Sequence, residues 1–417
     1  MEKKEPNKKQ LYAVLVAAFL GWMFDGMEMG IFPLIARPAL LQMQQAQGMQ
    51  LTDAFVGQWM AYATAAFLVG AALGGVIFGW LGDKVGRVRA MAVSILVYSL
   101  FTGLIYFASE PWHLCVCRFI AALGMGGEWS LGVALVMEVW PEKHRPLMAG
   151  IIGAAANVGF AGIAVLGMFF KVTVDSWRWV ALVGAAPAAL TFIMRLFVPE
   201  SEKWQDSVKS APVNSSPLRE IFTPPLLKWT LIATALSSVA LIGTWGSVQW
   251  LPLWADKMAP GDPMAKAYTQ AASAFGAIVG CLAGAWVGGF FGRRLMYFML
   301  CLGSLLTCAW LFRGIDSYGA NFLALTFVVG GFTATFYGWL PLYLPELFPT
   351  RVRATGQGLA FNAGRILAAV GALQMGVLMQ SFDGSYAKAG AIITLVYAIG
   401  LVIVWFAPET KGKPLPA

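Results

Sequence analysis

Along this chain apolar residues gather in runs of about twenty or more, broken only by short polar stretches. That is the length a helix needs to cross the ~30 Å hydrocarbon core of a bilayer. Such runs fall near residues 12–34, 54–80, 90–109, 111–137, 147–170, 178–198, 229–255, 267–290, 295–312, 320–346, 354–380 and 385–407. They predict an all-α membrane protein with twelve spanning helices. The first run follows the basic stretch MEKKEPNKKQ, which resembles the start of a signal peptide. It is long, however, and carries Asp25 and Glu28, so it reads as a retained first helix.

Composition narrows the class. Of 417 residues, 59% are hydrophobic and 12% charged, against ~45–50% and ~25% in soluble domains. These proportions exclude a disordered chain, a disulfide scaffold, a coiled coil and a lone soluble enzyme domain. The net charge of +8 is scattered over loops rather than gathered on one face, which argues against nucleic acid. With both termini in the cytoplasm, 20 of the 29 Lys and Arg residues lie on that side, 7 lie outside, and Arg118 and Arg365 fall within spans. The positive-inside rule therefore sets both ends in the cytoplasm of a cell membrane. Cys115, Cys117, Cys281, Cys301 and Cys308 sit inside apolar runs without metal-ligand spacing and read as packing residues. No Walker loop, nucleophile elbow, metal cluster or cofactor fingerprint appears, so no enzyme, metal or cofactor is expected.

The longest polar stretch, 199–228, divides the pattern into two sets of six. Its Asn214 heads a glycosylation sequon that a cytoplasmic placement makes idle. GWLGDKVGR at 79–87 follows span two and AWVGGFFGR at 285–293 follows span eight, an offset of 206. Glu138 and Arg145 after span four answer Glu346 and Arg353 after span ten at 208, and PES at 199–201 answers PET at 408–410 at 209. Three motifs in one register predict duplicated halves of the same orientation. The chain then divides into a tail 1–11, a bundle 12–198, the linker 199–228, a second bundle 229–407 and a tail 408–417.

Along its whole length the sequence resembles the major facilitator superfamily. GWLGDKVGR is similar to the family signature between helices two and three. The Glu-x6-Arg elements and the PES and PETKG endings are similar to those of its sugar-porter branch. The second loop copy departs from the signature, with Gly289 where the first has Asp83. Span seven, ALSSVALIGTWGSVQW, lacks the glutamine-rich signature of true sugar porters. The resemblance implies two pseudo-symmetric six-helix bundles, the major facilitator fold, working by alternating access as a monomer around a site near the midplane. Gly276, Gly280, Gly284 and Gly288, with Gly70 and Gly74 at the matching place, offer small faces past which helices can slide. At the helix ends, Asp83, Arg87, Glu138 and Arg145 in one half and Arg293, Glu346 and Arg353 in the other are placed to pair between bundles when the inner gate is shut.

A charge at the bilayer centre costs at least ~2.5–3.5 kcal/mol, so each one needs a partner or water. Five residues qualify: Asp25, Glu28, Arg118, Glu128 and Arg365. Asp25 and Glu28, three apart, share a face of the first helix, and their repulsion favours one of them holding a proton, as a proton carrier requires. The stretch GWMFDGMEMG resembles the first-helix acidic motif of proton-coupled aromatic-acid and monocarboxylate or sialate symporters, with Glu28 where aspartate is usual. Arg118 and Glu128 stand about 15 Å apart along span four and cannot pair with each other. Arg118 matches the helix-four arginine of the superfamily's symporters, and Glu128 is a second candidate for protonation. Arg365 in span eleven answers Asn157 in span five at an offset of 208, and its guanidinium offers a fork of donors to a carboxylate. A structural pairing with Glu128 or Asp25 is its other reading. Trp22, Trp129, Trp245, Trp250, Tyr337 and Trp339 can line a cavity, and Gln249, Asn157, Asn362, Thr333 and Thr335 can supply neutral hydrogen bonds.

These residues predict secondary active transport, by proton-coupled symport, of a small organic anion such as a monocarboxylate, sugar acid or aromatic acid. Arg365, with Asn157, Gln249, Trp129 and Tyr337, would hold the anion. Asp25, Glu28 or Glu128, tuned by Arg118, would carry the proton. The alternative is a neutral sugar or polyol, proton-coupled or facilitative, with Arg365 structural. The expected partners are that substrate, protons and the lipid bilayer.

Overall fold

The computed structural model describes residues 8–48, 53–169, 172–187, 189, 197–209, 216–260, 262, 264–382 and 385–416. Residues 1–7 of the expected tail, 188 and 190–196 of the sixth expected span, and 210–215 of the linker, with Asn214, lie outside them. Helices of the first half are α1 (Lys8–Ala46), α2 (Asp53–Val85), α3 (Arg87–Leu104), α4 (Pro111–Val139), α5 (Arg145–Phe169) and α6 (Trp177–Val183). Two short helices, α7 (Glu202–Lys209) and α8 (Pro217–Glu220), belong to the linker. The second half holds α9 (Leu226–Gly246), α10 (Leu251–Met258), α11 (Ala265–Phe290), α12 (Arg293–Gly314), α13 (Ala320–Tyr343), α14 (Arg353–Ser381), α15 (Tyr386–Ile393) and α16 (Val396–Ile403). Ten spans among the described residues are long and apolar enough to cross a bilayer.

Local chemistry explains the breaks. Gly86, at φ 111°, adopts a conformation L side chains avoid, so the chain turns there from α2 into α3. Span seven is interrupted at Ser247, and α10 starts afresh with Pro252 in its first turn, where the missing N–H costs nothing. α1 runs a dozen residues beyond the expected 34. Past the uniformly apolar run, Ile35, Ala36, Ala39, Leu40 and Met43 keep a helical stripe buried against Trp177. Gln42 accepts from Trp177 Nε1 at 2.9 Å and from Arg178.

Small residues set the packing. A Cβ on Gly70 or Gly74 would meet the Phe119 or Leu123 carbonyl oxygen of α4 at 2.4 and 1.9 Å. One on Gly276 or Gly280 would meet those of Phe327 and Gly331 on α13 at 1.9 and 2.2 Å. The stripes expected to let helices slide therefore fasten helices inside each half. Contact between halves uses other glycines. Gly75 and Gly79 of α2 lie under Asn362 and Ala354 of α14, and Gly153 of α5 lies under Tyr337 of α13. The hydrogen bonds that cross between halves run from Asn362 to the face carrying the chain ends, here called the terminal face.

Candidate functional site

The buried charges form two layers. In one, Arg118 of α4 pairs with Glu28 of α1, and its guanidinium lies between the Phe32 and Phe67 rings, 4.1 and 4.5 Å from their centroids. Both charges are nearly dry, so the pair gains from those rings what water would otherwise supply. In the other layer Asp25 and Glu128 lie within hydrogen-bonding reach of each other. Among the described residues no N–H or O–H donor reaches any of their four oxygens. Two carboxyls so placed are joined only when one of them holds a proton. The Glu128 carboxyl fits because residue 21 is glycine; a Cβ there would stand 1.7 Å from Oε1. Asp25 and Glu28 therefore part company although they share a helix face, since each finds a different neighbour on α4.

Arg365 of α14 is 4% exposed. It donates to Asn362 Oδ1 at 2.8 Å and stacks over the Phe361 ring at 5.4 Å, and among the described residues it pairs with no carboxylate. Phe361 stacks on Trp129 of the opposite half, with centroids 3.9 Å apart, and meets Tyr337 edge-on at 6.2 Å. The Tyr337 hydroxyl is buried beside Thr244 and Trp245. Asn157, the expected counterpart of Arg365, is half-buried on α5; the amide that holds Arg365 is Asn362, one turn away on its own helix. Gln249 is exposed in the break between α9 and α10, and Trp339 is buried inside the second half against Tyr297 and Tyr343 rather than lining a cavity.

At the terminal face, Asp83 accepts from Arg87 at 2.6 Å and, across the halves, from Thr355 N at 2.8 Å and Thr355 Oγ1 at 2.5 Å. Thr355 N belongs to the first turn of α14, where backbone N–H groups lack helical partners and favour an anion. Glu138 accepts from Arg87 at 3.1 Å and from Arg353 of the other half at 3.0 Å. Arg87 also donates to the Thr350 carbonyl at 2.7 Å. Four of the seven expected charges thus pair between halves. The other three do not. Arg293 holds Glu346 with two bonds at 2.8 and 3.0 Å inside the second half, and Thr410 Oγ1 donates to the same carboxylate at 2.6 Å. Arg145 turns to Glu142 at 3.2 Å and the Met137 carbonyl at 3.1 Å in its own half. Glu346 is already satisfied, and no carboxylate stands at 289 to draw the helices together.

Sequence reading passed over Phe32, Phe67, Phe361 and Gln357, and noted Asn362 only as one polar group among several. Phe32, four residues beyond Glu28, was the one signal available. The others depend on which helices face each other.

Two like halves of membrane-spanning helices around a layer of buried charges, hydrogen-bonded to each other toward the terminal face and meeting through Phe67 and Trp245 elsewhere, define a multi-pass secondary transporter. The chain belongs to the Major Facilitator Superfamily, whose family model matches residues 14–372. It is 28% identical to the inner membrane metabolite transport protein YgcS of Escherichia coli, over 97% of this chain and 93% of that one. It is 29% identical to the cis,cis-muconate transport protein of Acinetobacter baylyi, over 83% and 84%. The solved structure of the proton:xylose symporter XylE, bound to 6-bromo-6-deoxy-D-glucose, superposes with a TM-score of 0.80 at 17% identity over 98% of both chains, a likeness of fold.

Proposed function

We propose that this transporter carries a small organic anion together with a proton, and that its terminal face is cytoplasmic. The observation that carries the reading is Arg365, a buried guanidinium that holds an amide and a ring and, among the described residues, has no carboxylate within ion-pair distance, Asp25 lying only within its longer electrostatic reach. A permanent cation in that setting is suited to a carboxylate brought by the substrate. A neutral sugar would leave the guanidinium only the more distant Asp25. The muconate carrier among the relatives is consistent with an acid. Asp25 and Glu128 supply the proton step, since one proton between them joins α1 to α4 and its loss sets the carboxylates against each other. Arg118 holds Glu28 in an ion pair of its own. Alternating access follows if substrate and proton together favour the conformer open at the opposite face from the one they left.

The test is external alkalinisation when benzoate, cis,cis-muconate or xylose is added to de-energised cells expressing the chain. Alkalinisation with an acid, abolished by Arg365→Ala and by Asp25→Asn, is expected. Alkalinisation with xylose that survives Arg365→Ala would overturn the anion assignment.

A further inference from the structure

Two amide side chains of α14 reach across to α4 and bracket Glu128. Asn362 Nδ2 donates to the Gly126 carbonyl at 3.1 Å, two residues before Glu128, and Gln357 Nε2 donates to the Ser130 carbonyl, two residues after it. Both amides are fully buried. Asn362 is the more loaded of the two. The same Nδ2 also donates to Gly358 at 2.9 Å, while Oδ1 is the acceptor that holds Arg365. Its seat exists because residue 75 is glycine: a Cβ there would fall 2.0 Å from Nδ2. One small side chain therefore touches the cation of one half and the backbone beside the protonatable pair of the other.

We infer that Asn362 is a positioning residue that reports the occupancy of Arg365 to α4. While the guanidinium donates to Oδ1, the amide is fixed with Nδ2 on Gly126, and the two halves stay clamped at mid-depth. A substrate carboxylate draws the guanidinium's donors to itself, because a charged acceptor outcompetes a neutral one. The amide then loses its orienting bond, Gly126 is released, and α4 can move with Asp25 and Glu128. This step rests on the anion reading of Arg365, but the clamp can be tested without any substrate.

Cys281 lies in the interface between halves, with its Sγ 3.4 Å from the Gly153 carbonyl, whereas Cys301 and Cys308 are buried inside the second half. The full chain in detergent, without substrate, is treated with N-ethylmaleimide, and alkylation of each cysteine is followed by mass spectrometry. Asn362→Ala is expected to speed alkylation of Cys281 by about tenfold and leave Cys301 and Cys308 unchanged. Gly75→Ala, which dislodges the amide without altering it, is expected to do the same. Arg365→Ala is expected to give a smaller rise, and its combination with Asn362→Ala no more than Asn362→Ala alone, as for residues acting in series. An unchanged Cys281 rate in both Asn362→Ala and Gly75→Ala overturns the clamp. So does a parallel rise at Cys301 and Cys308 in both, which would make Asn362 a support of the fold. Additive rates in the double variant overturn the link to Arg365. Failure of the alkalinisation test with these rates as expected would remove the anion and leave the clamp standing.

Discussion

The two halves carry the same charged motif at the terminal face and use it differently. In the first half Asp83, Arg87 and Glu138 are completed by Arg353 and Thr355 of the second, so the cluster exists only while the halves touch. In the second half Arg293 and Glu346 close on themselves, and Arg145 stays at home with Glu142. Among the differences between the two loop copies is Gly289 in place of Asp83, which removes the carboxylate that would reach for the opposing helix start. Duplication supplied two similar brackets. One became a lock between halves and the other a brace within one.

The largest effect should come from Glu138→Gln, which leaves Arg87 and Arg353 facing each other in a dry site. Breaking a buried pair costs ~3–5 kcal/mol, and SDS titration of the purified protein should show it. Glu346→Gln removes one carboxylate from one arginine that keeps the Gly288 carbonyl, and should cost roughly half as much. Equal losses would erase the difference between lock and brace.

Next comes the exchange at the motif itself. Asp83→Asn weakens charge-assisted bonds worth ~1.5–3 kcal/mol and should favour the conformer open at the terminal face, seen as faster Cys281 alkylation. Gly289→Asp should slow turnover about threefold by adding a second lock; a Cβ at 289 meets only Pro146, at 3.7 Å, so the side chain fits. Turnover unchanged by Gly289→Asp would mean that the missing carboxylate is not what distinguishes the halves.

A smaller difference is set by pH. Glu200 accepts from the Arg87 and Val88 amides, and Glu409 accepts from those of Arg293 and Arg294. Burial holds the Glu200 carboxyl above its usual range despite those bonds. Glu409 is also pushed up by burial, but the Arg293, Lys411 and Arg294 amides outweigh it and leave it lowered. On acidification Glu200 therefore takes its proton first. The Glu409 contribution, present above the usual glutamate value, is lost only as pH falls through its depressed one. Hydrogen exchange, corrected for intrinsic rate, should lose protection at Arg87 and Val88 at a higher pH than at Arg293 and Arg294. The least effect belongs to the exposed Lys266–Asp256 pair: Lys266→Ala should stay within ~0.5 kcal/mol in the same SDS titration.

Much of this was legible beforehand. The runs gave the helices, and the repeat register gave the paired motifs, because span length and glycine-rich turns are local properties. Arg118 and Glu128 were already known to need separate partners from their spacing alone. Their identities were not readable, since Glu28 and Asp25 differ by less than a turn and only the placement of α4 assigns them. The break at Ser247 was masked by a continuous apolar run. Symmetry points to Asn157 at the position matching Arg365, whereas the amide that Arg365 holds is Asn362, one turn away, because a helix brings i and i+3 together whatever lies opposite.

α2 places two kinds of joint on adjacent residues. Gly74 presses on the carbonyl of Leu123 in its own half, and Gly75 receives Asn362 from the other. On the proposed clamp, the first contact persists throughout and the second is made and unmade in every turn of the cycle. One added methyl group would thus be a manufacturing fault at position 74 and a timing fault at position 75. The helix is an axle on one side and a clutch plate on the other.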